Sequence, residues 1–377
     1  MNRIKLLIVA MAISFGAFAQ DDIKYNPIMS ATPFLSISPE SRGSAMGDVG
    51  AATSPDVYSQ FWNPAKYAFI EDQFGAGLSY TPWLRNLGVN DIGLIDVAGF
   101  YRFDEMQTLS ASLRYFSLGE IQWTSGAGEN RGTISPNEFA IDLAYSRTFS
   151  DHWSGAVAFR YIRSDLSNGY GEDGTYPGNA FAVDIATYYN SGEVYSGDLK
   201  SNYSFGLNIS NIGSKISYNK IDKEFIPTNL KIGGAYEIEI DDYNSLMFTV
   251  DLNKLLVPTP PDSAARDYLN DIGSLQGIFK SFGDAPGGFK EEMQEIMASV
   301  GVEYSYNDAF FVRGGYFFES ENKGNREFFS VGAGFKMNVF ALDVSYLVPI
   351  YSTSPLANTL RFSLSFGMDG IVKLMQQ

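Results

Sequence analysis

The chain has 377 residues, no cysteine, one histidine and a formal net charge of −16. The missing thiols exclude a disulfide framework, a thiolate metal site and a cysteine nucleophile. The acidic balance makes the chain a poor binder of nucleic acid.

The N-terminal segment 1–19 has the features of a secretory signal peptide. Arg3 and Lys5 give a basic start, an apolar run follows, and a small-residue cleavage site ends at Ala19. We therefore expect an exported mature chain that begins near Gln20 and carries a net charge of −18, because the signal holds two positive and no negative side chains. After the signal no apolar run of about 18 residues follows, so the sequence predicts no membrane-spanning helix.

The next segment, 20–72, is irregular and differs from everything after it. Its glycines, prolines and short polar side chains favour a compact segment without long helices or strands. Asn63 and Pro64 suit the N-cap and the first position of a helical turn over 65–69. We predict that this segment is a plug on the periplasmic side or in the lumen of a barrel. Its structural motif is Trp62, Asn63, Pro64 and Ala65.

From residue 73 to residue 367 the chain repeats one pattern, in which apolar or aromatic residues alternate with polar or small ones. About fourteen segments show it, with provisional bounds 74–81, 92–103, 107–117, 138–149, 152–163, 179–189, 202–210, 229–239, 245–252, 298–306, 309–319, 328–337, 339–347 and 359–367. Their connections alternate between short and long, as in outer-membrane barrels with short periplasmic turns and long extracellular loops. The even strand count predicts that both termini, including a tail over 368–377, are periplasmic.

We therefore predict an all-β fold, a transmembrane antiparallel β-barrel of about 14 strands with an N-terminal plug. A soluble sandwich also alternates, with its apolar face turned inward. Against it stand the strand length of about ten residues, the asymmetry of the loops, and charges such as Asp96, Arg114 and Glu303 on the polar face. These charges suit a wet lumen.

A barrel of this size has a lumen that must be filled, and the predicted plug is available to fill it. Residues of opposite charge on the lumen face are then expected to find partners. Asp142 and Arg160 pair either with each other or with Arg42 and Asp48 of the plug, and the sequence leaves both alternatives open.

A helical insertion is predicted over 253–297, in a long extracellular loop. Apolar residues recur there at helical spacing on both sides of a Gly-Gly pair, which indicates two short amphipathic helices. Either the apolar faces fold down over the barrel mouth, or they form a surface for partner docking. The candidate partner-binding residues are Tyr268, Leu269, Ile272, Leu275, Phe279, Phe282, Phe289 and Met293.

The sequence offers little for catalysis. His152 is the only histidine, and strand parity places it in a tight turn on the periplasmic side, far from outer-leaflet lipid. No segment has the spacing of a calcium loop or of a phosphate-binding loop. We expect a protein that is not an enzyme and has no cofactor or metal. An outer-leaflet lipid-modifying enzyme that uses His152 is the third alternative.

The signal, the Asn63-Pro64-Ala65 motif and the fourteen strands together resemble the fatty-acid-transporter-like (FadL-type) barrels, whose N-terminal hatch carries a similar motif. More narrowly, SPESRGSAMGDVGAA at 38–52 and SQFWNPAKYAF at 59–69 look like the hatch of the PorV family, outer-membrane barrels of the type IX secretion system of Bacteroidetes. The resemblance covers the hatch at motif level and the barrel at the level of pattern.

The PorV resemblance implies a role in protein secretion. It implies that the protein lies in outer-membrane lipid, binds exported cargo by the cargo's C-terminal signal domain, partners the translocon barrel, and delivers cargo to the cell-surface sortase complex. The broader FadL-type resemblance implies an alternative function, a channel for uptake of hydrophobic small molecules. That alternative predicts an apolar tunnel and a displaceable plug.

Overall fold

A computed structural model describes residues 25–85, 88–89, 91–124, 129–167, 175–197, 199–261, 269–337, 339–350 and 359–367. The predicted signal peptide 1–19 and the predicted tail 368–377 lie outside the described residues. Among the helices in these ranges, none has the length and apolarity to cross a membrane.

Strands dominate the described chain after residue 73. They are β1 (Phe74–Pro82), β2 (Ile92–Arg102), β3 (Gln107–Leu118), β4 (Ile121–Thr124), β5 (Asn130–Ile134), β6 (Asn137–Thr148), β7 (Trp153–Asp165), β8 (Gly178–Asn190), β9 (Val194–Ser196), β10 (Leu199–Gly213), β11 (Asn229–Asp241), β12 (Asn244–Leu255), β13 (Ile296–Tyr306), β14 (Phe310–Phe318), β15 (Glu327–Met337), β16 (Phe340–Pro349) and β17 (Leu360–Gly367).

Fourteen of these strands form one closed antiparallel barrel. β1 pairs with β2 and also with β17, for example Leu78 with Leu364, and this last pairing closes the sheet. β4 and β5 form a separate hairpin, and the short β9 pairs with the first residues of β10. The predicted fold is confirmed, and the predicted strand bounds differ from the observed ones by at most three residues.

The barrel has two unlike ends. Turns such as 103–106 and 149–152 join strands at one end, which we call the short-turn end. Longer connections such as 214–228 and 256–295 lie at the opposite end, which we call the long-loop end. The alternation of short and long connections in the sequence is therefore a real asymmetry of the molecule.

Six short helices lie wholly within the described residues. The 3₁₀ helix Pro33–Ser36, α1 (Ser41–Ala45), α2 (Ser59–Trp62) and the 3₁₀ helix Pro64–Phe69 precede the barrel, and α3 (Ser274–Lys280) and α4 (Phe289–Gln294) lie in the connection 256–295. The turn predicted over 65–69 is present, and the Asn63 side chain caps it by accepting the N–H of Ala65.

The wall is apolar outside and polar inside. On β7, Val157 and Phe159 are exposed on the outer face, whereas Ala158 and Arg160, which alternate with them, are buried in the lumen. Apolar side chains on an outer face are stable against lipid and costly against water. The packed core of this molecule is therefore its lumen, and the segment before β1 fills it.

Residues 25–72, which we call the hatch, run through the lumen from the long-loop end to the short-turn end. At the start, Asn26 N–H donates to Asn322 O at 2.9 Å and Ala31 N–H to Phe225 O at 2.8 Å, and both acceptors lie in long loops. At the finish, the hatch passes directly into β1 at the short-turn end.

The described residues begin and end at opposite ends of the barrel, and the termini that strand parity places at one end lie outside the described residues. The first of them, Tyr25, lies at the long-loop end, and Gly367 of β17 lies at the short-turn end. Strand parity fixes only where each strand begins and ends. A segment that precedes the first strand is free to cross the lumen, and 48 residues are ample for that distance.

Candidate functional site

The hatch is hydrogen-bonded to the wall along most of its length. Ser146 and Ser154 of the wall donate through Oγ to the carbonyl oxygens of Pro64 and Ala65, each at 2.7 Å. An irregular segment has no sheet partners for its buried backbone groups, so the wall must supply them. Further wall side chains that bond hatch backbone are Arg114, Ser204, Asn208, Asp251 and Ser330.

Inward glycines of the wall let the hatch backbone lie directly against the strands. A Cβ placed on Gly206 would lie 1.8 Å from Ala51 O, and one on Gly315 would lie 2.0 Å from the carbonyl carbon of Met46. Both distances are far below van der Waals contact, so no side chain fits at these positions while the hatch is seated. Other inward glycines that contact the hatch are Gly77, Gly233, Gly301 and Gly332.

Four charges, of which Glu303 and Arg313 are buried and Arg42 and Asp343 half-buried, link the hatch to three strands. Arg42 of the hatch donates to both carboxylate oxygens of Glu303, at 3.0 Å and 2.9 Å. Glu303 also accepts from Arg313 at 2.5 Å, and Arg313 donates to Asp343 at 2.5 Å. Bidentate guanidinium–carboxylate pairs are the strong form of charged hydrogen bond. We call this group the Arg42 chain.

The remaining lumen charges resolve the pairing that the sequence left open. Arg160 bonds Asp142 at 2.5 Å and Asp184 at 3.0 Å, so it joins three neighbouring strands of the wall. Asp142 and Arg160 therefore pair with each other, and Arg42 takes Glu303 instead.

The predicted plug motif holds distant parts of the hatch together. The indole N–H of Trp62 donates to Glu40 Oε1 at 2.8 Å. The Asn63 amide donates to Ala51 O at 2.9 Å and to Thr187 O of β8 at 3.0 Å. The motif thus ties the end of the hatch to its middle and to the wall.

Glu40 makes the stability of the hatch depend on pH. Burial, and then the nearby Asp56 carboxylate, raise the pKa of Glu40 to about 7 from an ordinary value of 4.5. Because the folded-state pKa lies above the unfolded one, the stabilisation from this group is complete below pH 4.5 and is lost as pH rises through about 7. We expect a loss of about 3 kcal/mol across that window.

Glu40→Gln is expected to flatten this part of the pH dependence, because the neutral amide has no charge to desolvate. The measurement is the midpoint of chemical unfolding of the purified protein in detergent at pH 4.5, 6 and 7.5. Glu71→Gln, at an exposed acid of the same hatch, is the control and should keep the wild-type slope. Equal slopes for all three proteins would contradict the assignment to Glu40.

Small cavities lie between the seated hatch and the wall. Among the described residues, one cavity of about 120 Å³ lies between hatch and wall, and a second measures about 50 Å³. Pockets for small-molecule ligands usually measure about 300–1,000 Å³ and are mostly apolar. The larger cavity is instead lined by both apolar and charged or amide side chains, including Ile37, Trp62, Asn208, Lys231 and Arg326.

The helical insertion divides into a buried and an exposed part. Ile272 is buried in a cluster with Phe225 and Val257, and Leu269 packs against the same cluster. These two residues fold down over the barrel mouth. The other five described candidates stay exposed: Leu275 (65%), Phe279 (78%), Phe282 (54%), Phe289 (81%) and Met293 (50%). We call these five the loop platform; Tyr268 lies outside the described residues.

A buried ion network supports α4 from below. Glu295 accepts from Lys254 at 2.5 Å and from Lys323 at 3.0 Å, and its side chain is fully buried. Lys254 also pairs with Glu292 at 3.1 Å, and Lys323 pairs with Glu291 at 2.7 Å. The network fixes α4 to β12 and to the loop 319–326. Phe289 and Met293 are therefore presented outward from a rigid base.

A family match now adds to this geometry. The sequence profile described as "Type IX secretion system protein PorV" matches residues 19–262, which is more than half of the chain. The chain belongs to the PorV family. Among curated proteins, none matches it.

Solved structures similar to this PorV-family chain include hydrocarbon channels and toluene transporters. The TodX deltaS2S3 mutant monoaromatic hydrocarbon channel is 10% identical, with 88% of this chain and 98% of that chain covered and a TM-score of 0.51. The Pseudomonas putida toluene transporter TodX is also 10% identical, with 93% of this chain and 100% of that chain covered and a TM-score of 0.49. A Pseudomonas aeruginosa FadL homologue is 10% identical, with 92% of this chain and 100% of that chain covered and a TM-score of 0.42. At this identity the first of these shows the fold alone, a FadL-like barrel.

Two features of this PorV-family barrel were missed in the sequence. The inward glycines carry a signal, since Gly206 stands between outward Phe205 and Leu207 at a position where a lumen side chain belongs. The ion network under α4 has no comparable signal in the sequence. Lys254 and Lys323 lie far apart in sequence, and only the packing of two loops brings both to Glu295.

Proposed function

We propose that this PorV-family outer-membrane barrel is a cargo carrier of the type IX secretion system. In this proposal it binds exported cargo by the C-terminal signal domain, partners the translocon barrel and delivers cargo to the surface sortase complex. The observation that carries the proposal is the fixed hatch. It fills the lumen, and the loop platform offers an exposed apolar surface for recognition at the long-loop end.

The proposal includes an orientation in the outer membrane. Outer-membrane barrels have short periplasmic turns and longer extracellular loops. The long-loop end is then extracellular, which puts the loop platform where exported cargo emerges. The short-turn end, with the start of β1 and the end of β17, is periplasmic.

The exposure of the loop platform and the buried ion network beneath α4 both support a role in recognition. Exposed apolar clusters on a folded surface mark interaction sites, and aromatic anchors often dominate binding energy. A rigid base lowers the entropy that a partner must remove on binding. Phe289 and Met293 on α4 meet both conditions, because the ion network below them holds the helix in place.

The proposal is of a protein that is not an enzyme. His152 lies exposed at the short-turn end, with Nδ1 at 2.9 Å from Asn190 O. In the proposed orientation that end is periplasmic, so His152 is remote from outer-leaflet lipid. Replacement of His152 is accordingly expected to leave lipid composition unchanged.

Phe289→Ser combined with Met293→Ser is expected to reduce cargo capture at least tenfold, because two apolar anchors are lost while the network below is untouched. The measurement is recovery of exported proteins with the C-terminal signal domain, and of the translocon barrel, on the tagged protein from detergent extracts. Ile221→Ser is the matched control, since Ile221 is 80% exposed on the loop 214–228 but lies outside the platform.

Two results would contradict the proposal. Recovery of the tagged wild-type protein alone, with neither cargo nor translocon, would remove its basis. Uptake of an apolar small molecule into proteoliposomes, lost on deletion of residues 21–60, would favour the channel alternative. We expect no such uptake, because the hatch backbone is packed against the wall at Gly206 and Gly315 and the cavity beside it measures only about 120 Å³.

A further inference from the structure

The first described residues of the hatch tie three long loops together. Besides its backbone bond to Asn322 O, Asn26 donates through Nδ2 to Glu291 Oε1 at 3.1 Å and to Pro260 O at 3.4 Å. Ala31 N–H bonds Phe225 O. These acceptors belong to the loops 214–228, 256–295 and 319–326. We call residues 25–31 the strap.

The strap also meets the base of the loop platform. Glu291, which accepts from Asn26, is the same residue that pairs with Lys323 Nζ at 2.7 Å. Ile28 packs against the cluster of Phe225, Val257 and Ile272. The strap therefore contacts α4 through polar groups and the rest of the insertion through an apolar side chain.

We infer that the strap lies on the extracellular face and acts as a positioning element for the loop platform. This inference rests on the orientation and the docking role given under the proposed function. Tyr25 and Met29 are 65% and 63% exposed on either side of Asn26. The interaction surface thus extends from Phe289 and Met293 onto the strap, and a cargo domain that docks on α4 meets this segment as well.

Single cysteines test the location, because the chain has none of its own. Tyr25→Cys, Phe279→Cys and Tyr243→Cys are exposed to a membrane-impermeant maleimide on intact cells and again after the outer membrane is permeabilised. Tyr243, 60% exposed, lies in the turn between β11 and β12 at the short-turn end. We expect Y25C and F279C to label on intact cells and Y243C only after permeabilisation.

Failure of the strap inference and failure of the proposed function would give different labelling results. Labelling of F279C but not Y25C on intact cells would overturn the strap inference and leave the proposed function intact. Labelling of Y243C but not F279C would overturn the orientation in the proposed function itself.

Asn26→Ala tests the positioning role. Loss of the Nδ2 bonds to Glu291 and Pro260 is expected to weaken cargo capture about 3- to 10-fold, the effect of one or two hydrogen bonds. A nitroxide label on F289C should become more mobile in the N26A background, while the unfolding midpoint of the barrel stays unchanged. Asn179→Ala, at an exposed asparagine near the same rim, is the control. Unchanged label mobility and capture in N26A would overturn the positioning role.

Discussion

Gly315→Val is expected to unseat the hatch. A Cβ at this position would lie 2.0 Å from the carbonyl carbon of Met46 and 2.3 Å from the nitrogen of Gly47. These are main-chain atoms, so no side-chain rotation relieves the overlap. Overpacking usually costs about 1–3 kcal/mol, and we expect a cost at or above the top of that range here. The hatch then leaves its seat, and trypsin gains access to Arg42, whose side chain is only 15% exposed in the lumen of the wild-type protein.

Gly314→Val is the matched control for this experiment. Gly314 is the preceding residue of β14 but faces outward, and a Cβ there would meet no atom nearer than 3.9 Å. The measurement is the rate of tryptic cleavage in the hatch of the folded protein in detergent, with heat-modifiable gel migration as the check that the barrel is closed. Gly206→Val repeats the test on β10.

Wild-type protection of the hatch in both G315V and G206V would contradict the close fit. Equal damage from G314V and G315V would instead show that β14 tolerates no added side chain on either face. Slow wild-type cleavage and fast G315V cleavage is the result that a fixed hatch requires. A displaceable plug, as in the channel alternative, predicts that the wild-type hatch is already accessible.

The barrel was predictable from the sequence because each strand carries its own pattern. Alternation within a few residues is enough to predict that Phe159 faces outward and that Arg160 faces the lumen. The loop asymmetry is equally local, since it needs only the distances between strands. No contact between distant residues enters either argument.

The path of the hatch was not predictable in the same way. Residues 25–72 have no alternation, so nothing in the segment shows which end of the barrel it starts from. The direction depends on contacts such as Asn26 with Glu291, which are 265 positions apart. Strand parity concerns the strands alone. It led us to expect that the hatch begins at the short-turn end, whereas Tyr25 lies at the long-loop end.

The candidate site was predicted in part. The sequence identified the insertion and its apolar residues, but helical spacing does not distinguish Ile272, which is buried, from Phe279, which is exposed. Short helices of six or seven residues show too few turns to define a buried face. The residues beneath the insertion decide which side chains are buried, here Phe225 from the loop 214–228 and Val257 from the start of the same connection.

Glu303→Ala is expected to destabilise the protein by about 3–5 kcal/mol, because it leaves two guanidinium groups without their shared carboxylate. The Arg42 and Arg313 side chains are only 15% and 3% exposed. Water cannot replace the lost partner at such burial. Each arginine keeps one other carboxylate, Asp56 or Asp343, so we expect a folded barrel with a loosened hatch.

Chemical unfolding in detergent at constant pH and salt measures this loss, with Glu193→Ala as the matched control. Glu193 pairs with Lys200 at 2.7 Å, but the two side chains are 58% and 30% exposed, and a surface pair of this kind contributes at most about 1 kcal/mol. Arg42→Met with Glu303→Leu should recover part of the loss, since no lone charge then stays buried between them. If E303A costs no more than E193A, the Arg42 chain does not hold the hatch, and its attachment rests on the serine hydrogen bonds and the inward glycines.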